Sequence, residues 1–213
     1  QAVSLELVGE EPVYDLTEPA THHFVAGGLV VHNCSEYMFL DDTACNLASL
    51  NLMHFRTFEG GFDAEAFRRA VDLTILAQEI LVSNARYPTE AIERNSHQYR
   101  PLGLGYANLG ALLMASGLPY DSDAGRAAAA AVTALMTGEA YAMSARIAER
   151  MGAFGGYEKN REPFLAVVRK HAQHVDRIDP TLADGALLQA ARDAWAEALR
   201  TGGAAGYRNA QVT

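Results

Sequence analysis

Residues 29–52 read LVVHNCSEYMFLDDTACNLASLNL, and both cysteines of the chain, Cys34 and Cys45, lie inside this stretch. His32, Asn33 and Cys34 set an imidazole, a carboxamide and a thiol side by side. An Asn side-chain nitrogen can attack its own backbone carbonyl, closing a succinimide and breaking the bond to the next residue. His32 is the neighbouring helper for that step, and a thiol just past the broken bond can accept an acyl group. Beyond Asn33 the chain looks extended. Residues i and i+2 of a strand share a face, so Cys34 and Glu36 would put a thiol beside a carboxylate. Asp41, Asp42 and Thr43 make a turn or an N-cap. The run ACNLASLNL, residues 44–52, reads as strand or as helix. The plainer reading of each cysteine is a small buried hydrophobe, and of Glu36 a solvated charge.

Working outward, the 213 residues are enough for one or two domains with real cores. Hydrophobic residues make up 49% and charged residues 20%, a globular composition. A formal net charge of -9 argues against bulk binding of nucleic acid or anionic membrane. No apolar run approaches the roughly 18 residues a membrane span needs, and no basic segment followed by an apolar core marks a signal peptide. Two cysteines are too few for a disulfide-stapled secreted domain, so the cytoplasm is the expected location. Gln1 is not a start methionine, and residues 206–213 run toward another apolar strand, so the chain reads as a fragment of a longer product.

Residues 1–33 read as β structure. Val3, Leu5 and Leu7 alternate with Ser4 and Glu6. Further short runs cover residues 13–17, 22–26 and 29–31, with Gly27-Gly28 as a two-residue hairpin turn. The string VYDLTEPATHHFVAGGLVVHNC, residues 13–34, resembles the C-terminal end of an intein. By that resemblance Asp15 and His22 match the acid and imidazole of the penultimate block. His32 and Asn33 match the cleavage pair, and Cys34 is the first residue after the intein. Gly27 departs from the pattern, which often has Asn there. An intein also needs an N-terminal block with a Cys or Ser nucleophile, which nothing here supplies, so this chain alone would not start splicing.

The next string, CSEYMFLDDTACNLASLNL, resembles ribonucleotide reductases of the adenosylcobalamin-dependent class, which carry a second cysteine eleven residues after the first in an Ala-Cys-Asn-Leu context. YRPLGLGYANLGALLM, residues 99–114, recurs in the same family. The resemblance implies that Cys34 is the thiyl-radical cysteine abstracting the 3′ hydrogen of the ribose. It makes Glu36 the general base on the 3′ hydroxyl and Cys45 one half of the dithiol that supplies two electrons as the 2′ hydroxyl leaves as water. It further implies adenosylcobalamin as cofactor, with its site outside this fragment. A ribonucleoside di- or triphosphate would be the substrate, with a thioredoxin-like reductant and a homodimer. The family's Asn two residues before the radical cysteine is absent, and the partner of Cys45 would lie upstream. A Cys34–Cys45 disulfide is the alternative pairing.

From Phe62 the pattern turns helical. Asp63 is a plausible N-cap, and Phe67, Val71, Ile75, Gln78 and Val82 recur at three-to-four spacing, with Leu73, Leu76 and Ile80 widening the stripe. Residues 89–93 suggest a short helical turn. In residues 100–117, Gly103, Gly105 and Gly110 lack the spacing of a dinucleotide fingerprint. Their better reading is a helix whose small residues permit close packing. Ser122 or Asp121 caps a long helix to about Met151, with Val132, Leu135, Met136, Met143, Ile147 and Met151 on its apolar face. Residues 162–174 and 180–199 form two more helices. His171 and His174 have metal-ligand spacing but no third ligand nearby, so a solvated helix end is the better reading.

These readings predict a mixed fold. A short all-β intein (Hint-type) tail over residues 1–33 precedes a mostly helical α/β fragment of the reductase ten-stranded barrel over residues 34–213. The expected activity is ribonucleotide reduction. The alternatives are self-processing by Asn33 cyclisation, or trans-splicing with a missing N-terminal intein and reductase portion, and last an inert helical remnant.

Overall fold

The computed structural model describes residues 39–213 and, before them, the backbone of two strands, β1 (His23–Ala26) and β2 (Leu29–His32). The chain divides into two compact units, Gln1–Asp41 and Asp42–Thr213. In the first, β1 and β2 pair antiparallel with Ala26 opposite Leu29, so Gly27 and Gly28 lie between the paired ends. Asp15, His22, Asn33, Cys34 and Glu36 lie outside the described residues, as do the strands expected before residue 18. His32 closes β2 through its backbone.

In the second unit residues 44–52 resolve as strand: β3 covers Asn46–Asn51. A 3-10 turn, Leu52–Phe55, follows, with the Asn51 side chain accepting from the Met53 N–H at 3.1 Å. Helix α1 (Ala64–Asn84) starts as expected, the Asp63 carboxylate accepting from Ala66 N at 2.9 Å. Its buried row is the expected one, Phe67, Val71, Ile75, Gln78 and Val82. The stripe is narrower than the sequence suggests. Leu73 is 69% exposed, and Leu76 and Ile80 are also exposed, because α1 packs one side on the strands and on a later helix while these three point away. Helix α2 (Glu90–Tyr99) is a true helix rather than one turn, capped by Thr89. It ends at Arg100, whose backbone is left-handed (φ 51, ψ 51).

The main correction falls on residues 100–117. Leu102–Ala107 is a strand, β4, and only Leu109–Ala115 is helix, α3. The physical reason is the alternation Leu102, Leu104, Tyr106, which serves a sheet face, with glycines between on the other face. β3 and β4 pair in parallel, from Asn46 opposite Leu102 to Asn51 opposite Ala107. A parallel pair requires a crossover, and α1 and α2 supply it. On the far edge of β4, the N–H groups of Leu102 and Leu104 donate to the carbonyls of Gln211 (2.9 Å) and Val212 (3.0 Å), so the C-terminal segment runs alongside.

Three helices complete the unit: α4 (Asp123–Met151), α5 (Tyr157–His174) and α6 (Gly185–Ala205). Ser122 caps α4 as expected, but Met151 is exposed rather than on the packed face. Helix α5 starts five residues before the expected point and carries Pro163 inside it, and α6 starts at Gly185, capped by Asp184, and runs to Ala205. Helix α4 lies against α6 and α1, and aromatic rings from α4, α5 and the C-terminal segment, Tyr141, Phe164 and Tyr207 among them, meet at 5–6 Å edge and tilted contacts.

Two polar clusters tie these layers. Glu79 of α1 accepts from Arg100, Arg208 and Asn209, each at 2.7 Å, and Asn209 also bonds Ser144 of α4. On another side, Glu139 of α4 accepts from Arg68 (2.6 Å) and Arg146 (2.9 Å). Arg146 also reaches Asp72 and, at 2.8 Å, Glu197.

Candidate functional site: the bare face of a parallel strand pair

The β3–β4 pair has two unlike faces. On one, Leu102 and Leu104 are buried, and Ala48, Leu50 and Tyr106 pack against the core. Helix α1 lies on the pair, and the Gln78 amide donates to the carbonyls of Asn46 (2.8 Å) and Gly103 (3.2 Å), one on each strand side. On the other face stand Leu47, which is 79% exposed, and Ser49. Opposite them β4 offers only Gly103, Gly105 and Ala107.

Cys45, the residue before β3, belongs to this second face. A methyl placed on Gly103 would sit 2.9 Å from Cys45 Sγ and 2.6 Å from Leu47 Cδ2. The thiol therefore rests on the bare backbone of Gly103, where any other residue would force Cys45, Leu47 or both to shift. Cys45 is a free, half-buried thiol, with a weak contact from Sγ to Asn46 O at 3.8 Å. Burial pushes its pKa above the ordinary thiol value, because the charged thiolate loses solvation. The raised pKa keeps the thiol in its protonated form at neutral pH. The strand that carries it is anchored nearby, the Ala44 N–H donating to Ser96 Oγ at 2.9 Å. At the carboxyl ends of the strands Asn108 donates to Asn51 Oδ1 at 2.9 Å, coupling the two strands again.

Of the expected site residues, then, Cys45 is placed on the glycine face of the strand pair, His32 is described only through its backbone in β2, and the others lie outside the described residues. Sequence reasoning missed Gly103 and Gln78. Gln78 carried a signal, since it is a polar residue within the apolar repeat of α1, and it is 2% exposed, with Glu79 beside it also buried. Among the described residues no group of three His, Cys, Asp or Glu has metal-binding geometry. His171 instead stacks on Trp195 with ring centroids 6.0 Å apart, and His174 bonds the Lys170 carbonyl. Nor is any helix among the described residues long and apolar enough to cross a membrane. Five cavities of about 160 to 480 Å³ are lined mainly by helix residues, and Cys45 lines none of them.

Comparison with known proteins gives this face a context. The model of the ribonucleotide reductase barrel domain matches residues 31–213. A vitamin B12-dependent ribonucleotide reductase of Rhodopirellula baltica is 50% identical over 202 residues, covering 94% of this chain and 19% of that protein. Its namesake in Streptomyces coelicolor is 45% identical over 207 residues, 94% of this chain and 21% of that protein. In Agrobacterium fabrum the figures are 47% over 196 residues, 84% of this chain and 15% of that protein. The chain thus spans about a fifth or less of the length of these relatives. A parallel strand pair with its helical crossover, one face covered and one bare, fits such a barrel wall, and the chain belongs to the ribonucleotide reductase barrel-domain family.

Proposed function

We propose that this chain is the part of a cobalamin-dependent ribonucleotide reductase that carries the radical cysteine and one reducing cysteine. The observation that carries the reading is Cys45 on the glycine face of the β3–β4 pair, a half-buried free thiol whose Sγ lies against the backbone of Gly103. In this reading Cys34, as a thiyl radical, takes the 3′ hydrogen of the ribose. Glu36 accepts the proton of the 3′ hydroxyl. The 2′ hydroxyl leaves as water, Cys45 with a second cysteine of the whole enzyme gives up two electrons and two protons and closes a disulfide, and Cys34 returns the 3′ hydrogen to the ribose, regenerating the thiyl radical. A thioredoxin-like reductant then reopens it. The substrate is a ribonucleoside di- or triphosphate. Adenosylcobalamin would supply the initiating radical when bound.

The test is turnover by the whole enzyme, with its flanking regions restored, in the presence of adenosylcobalamin and a dithiol. Cys34→Ala and Cys45→Ser are each expected to abolish sustained turnover, and turnover retained in Cys34→Ala would overturn the radical assignment.

A second reading concerns residues 1–33, taken as the tail of an intein, with residues 34–213 as the reductase segment. The β1–β2 pairing supports it, because its register delivers His32 at a hairpin end directly before Asn33 and Cys34. In this reading Asp15 and His22 assist, His32 polarises the Asn33 carbonyl, and Asn33 cyclises to release a product beginning at Cys34. Intact mass after incubation, alone and with a matching N-terminal half, tests it. The Cys34 product should appear, and should vanish in Asn33→Ala.

A further inference from the structure

We infer that Gly103 is a positioning residue for the Cys45 thiol, holding Sγ in one place on the open sheet face by having no side chain. The inference rests on the reading of Cys45 as a reducing cysteine, but its geometry stands by itself. Sγ occupies the volume a Cβ at 103 would need, at 2.9 Å, and Leu47 Cδ2 closes the same space from the next residue on that face, at 2.6 Å. Contacts under about 3 Å are not tolerated between such atoms, so an added methyl forces the sulfur, the leucine or both to move. The register that sets Gly103 under Cys45 is held from behind. Gln78 donates to both the Asn46 and Gly103 carbonyls, while its own Oε1, 98% buried with the rest of the residue, finds no partner. A buried amide left half satisfied is unfavourable, and the bond it does make to each strand is the compensating role.

Position matters because a disulfide has strict geometry. The sulfurs must come to about 2.05 Å with a dihedral near 90°, so the partner thiol can meet Sγ only where its rotamer presents it. Gly105, one pleat along, is the natural control. A methyl there would meet only Ser49 Oγ, at an ordinary 3.9 Å.

The experiment follows alkylation of Cys45 by iodoacetamide in the full chain, read by peptide mass so that Cys34 is counted separately, across a range of pH. Gly103→Ala should drive Sγ off the backbone into open space. The expected result is a Cys45 rate about tenfold higher at neutral pH, with the midpoint of its pH profile moved down toward the ordinary thiol value, while Gly105→Ala matches the parent. Because Gly103→Ala alone can destabilise the sheet, Leu47→Ala and Leu47→Ala/Gly103→Ala are measured beside it, with melting temperatures. Removing the exposed Leu47 side chain makes room for the methyl and leaves Sγ as the close obstacle. A folded double variant whose Cys45 reacts like Leu47→Ala overturns the inference, and a faster one supports it. If instead Cys45 is not a reducing thiol, the alkylation shift remains while Cys45→Ser leaves turnover of the whole enzyme intact, so the two failures are distinct.

Discussion

The carboxylate of Glu79 and the carboxamide of Asn209, 130 positions apart in the chain, meet at 2.7 Å in the protein interior. The other Glu79 oxygen accepts from Arg100 and Arg208, and Asn209 adds bonds to the Arg100 carbonyl and to Ser144. This cluster fastens the C-terminal segment to α1 and α4, beside the edge of β4. Breaking a buried ion pair from one side leaves the other charge unpaired, which costs about 3–5 kcal/mol. Glu79→Ala should lose stability in that range, and Asn209→Ala about 1–3 kcal/mol for the bonds it abandons. Urea unfolding checks both, and a Glu79→Ala midpoint equal to the parent's would show that the cluster does not hold the segment.

Neighbouring glycines at the end of α6 should behave in opposite ways. A methyl on Gly202 would fall within the Tyr207 ring, which packs there with its hydroxyl donating to the Ala198 carbonyl. A methyl on Gly203 would meet nothing. Gly202→Ala should destabilise by about 1–3 kcal/mol through overpacking, whereas Gly203→Ala should gain roughly 0.5–1 kcal/mol from helix propensity. Thermal melts of the two variants decide, and equal shifts would contradict the packing at Tyr207.

The cluster of Asp72, Glu139 and Glu197 with Arg68 and Arg146 holds three carboxylates against two guanidiniums. Burial, then the neighbouring Glu139 carboxylate, pushes the Asp72 pKa up to about 7, against the pull of Arg146 and Arg68. The folded chain therefore holds this proton more tightly than the unfolded chain does. The resulting stability is full below about pH 4, the ordinary Asp value, and is lost as pH rises through 7. Asp72→Asn has no such proton. Between about pH 5 and 8 the melting temperature of the parent should fall relative to that of Asp72→Asn, and parallel curves would show that Asp72 titrates normally.

Ser122 both accepts from the Gly125 N–H (3.0 Å) and donates to the Pro119 carbonyl (2.7 Å) at the start of α4. Ser122→Ala should cost about 1 kcal/mol, while Ser122→Asp should restore most of it. Failure of the aspartate to rescue would place the role of Ser122 in the Pro119 bond rather than in the cap.

The elements legible in the sequence were those whose signal is local. The buried row of α1 and the caps Asp63 and Ser122 depend on neighbours within a turn or two, and each is where periodicity and side-chain chemistry place it. β4 was not legible, because Gly103 and Gly105 stand where a half-exposed strand normally shows polar residues. At Gly103 what removed the polar signal was a tertiary demand, the close approach of Cys45 and Leu47 to the backbone, whereas nothing crowds Gly105. The exposure of Leu73, Leu76 and Ile80 was hidden for a related reason. Apolar spacing marks a helix face but does not say what lies against it. Cys45 was identified by its sequence surroundings, but its placement over Gly103 depends on a strand 57 positions later, which no local pattern encodes.

Arg100 shows how two demands can bind one position. Its left-handed backbone turns the chain from α2 into β4, a conformation glycine or asparagine adopts more readily. Its guanidinium, 5% exposed, donates to the Glu79 carboxylate and carbonyl and to Ser83. Glycine would ease the turn and strand the carboxylate, while lysine would keep a charge and lose the forked geometry. No single replacement satisfies both, so drift at this position needs a simultaneous change at Glu79, and the two sites should vary together or not at all.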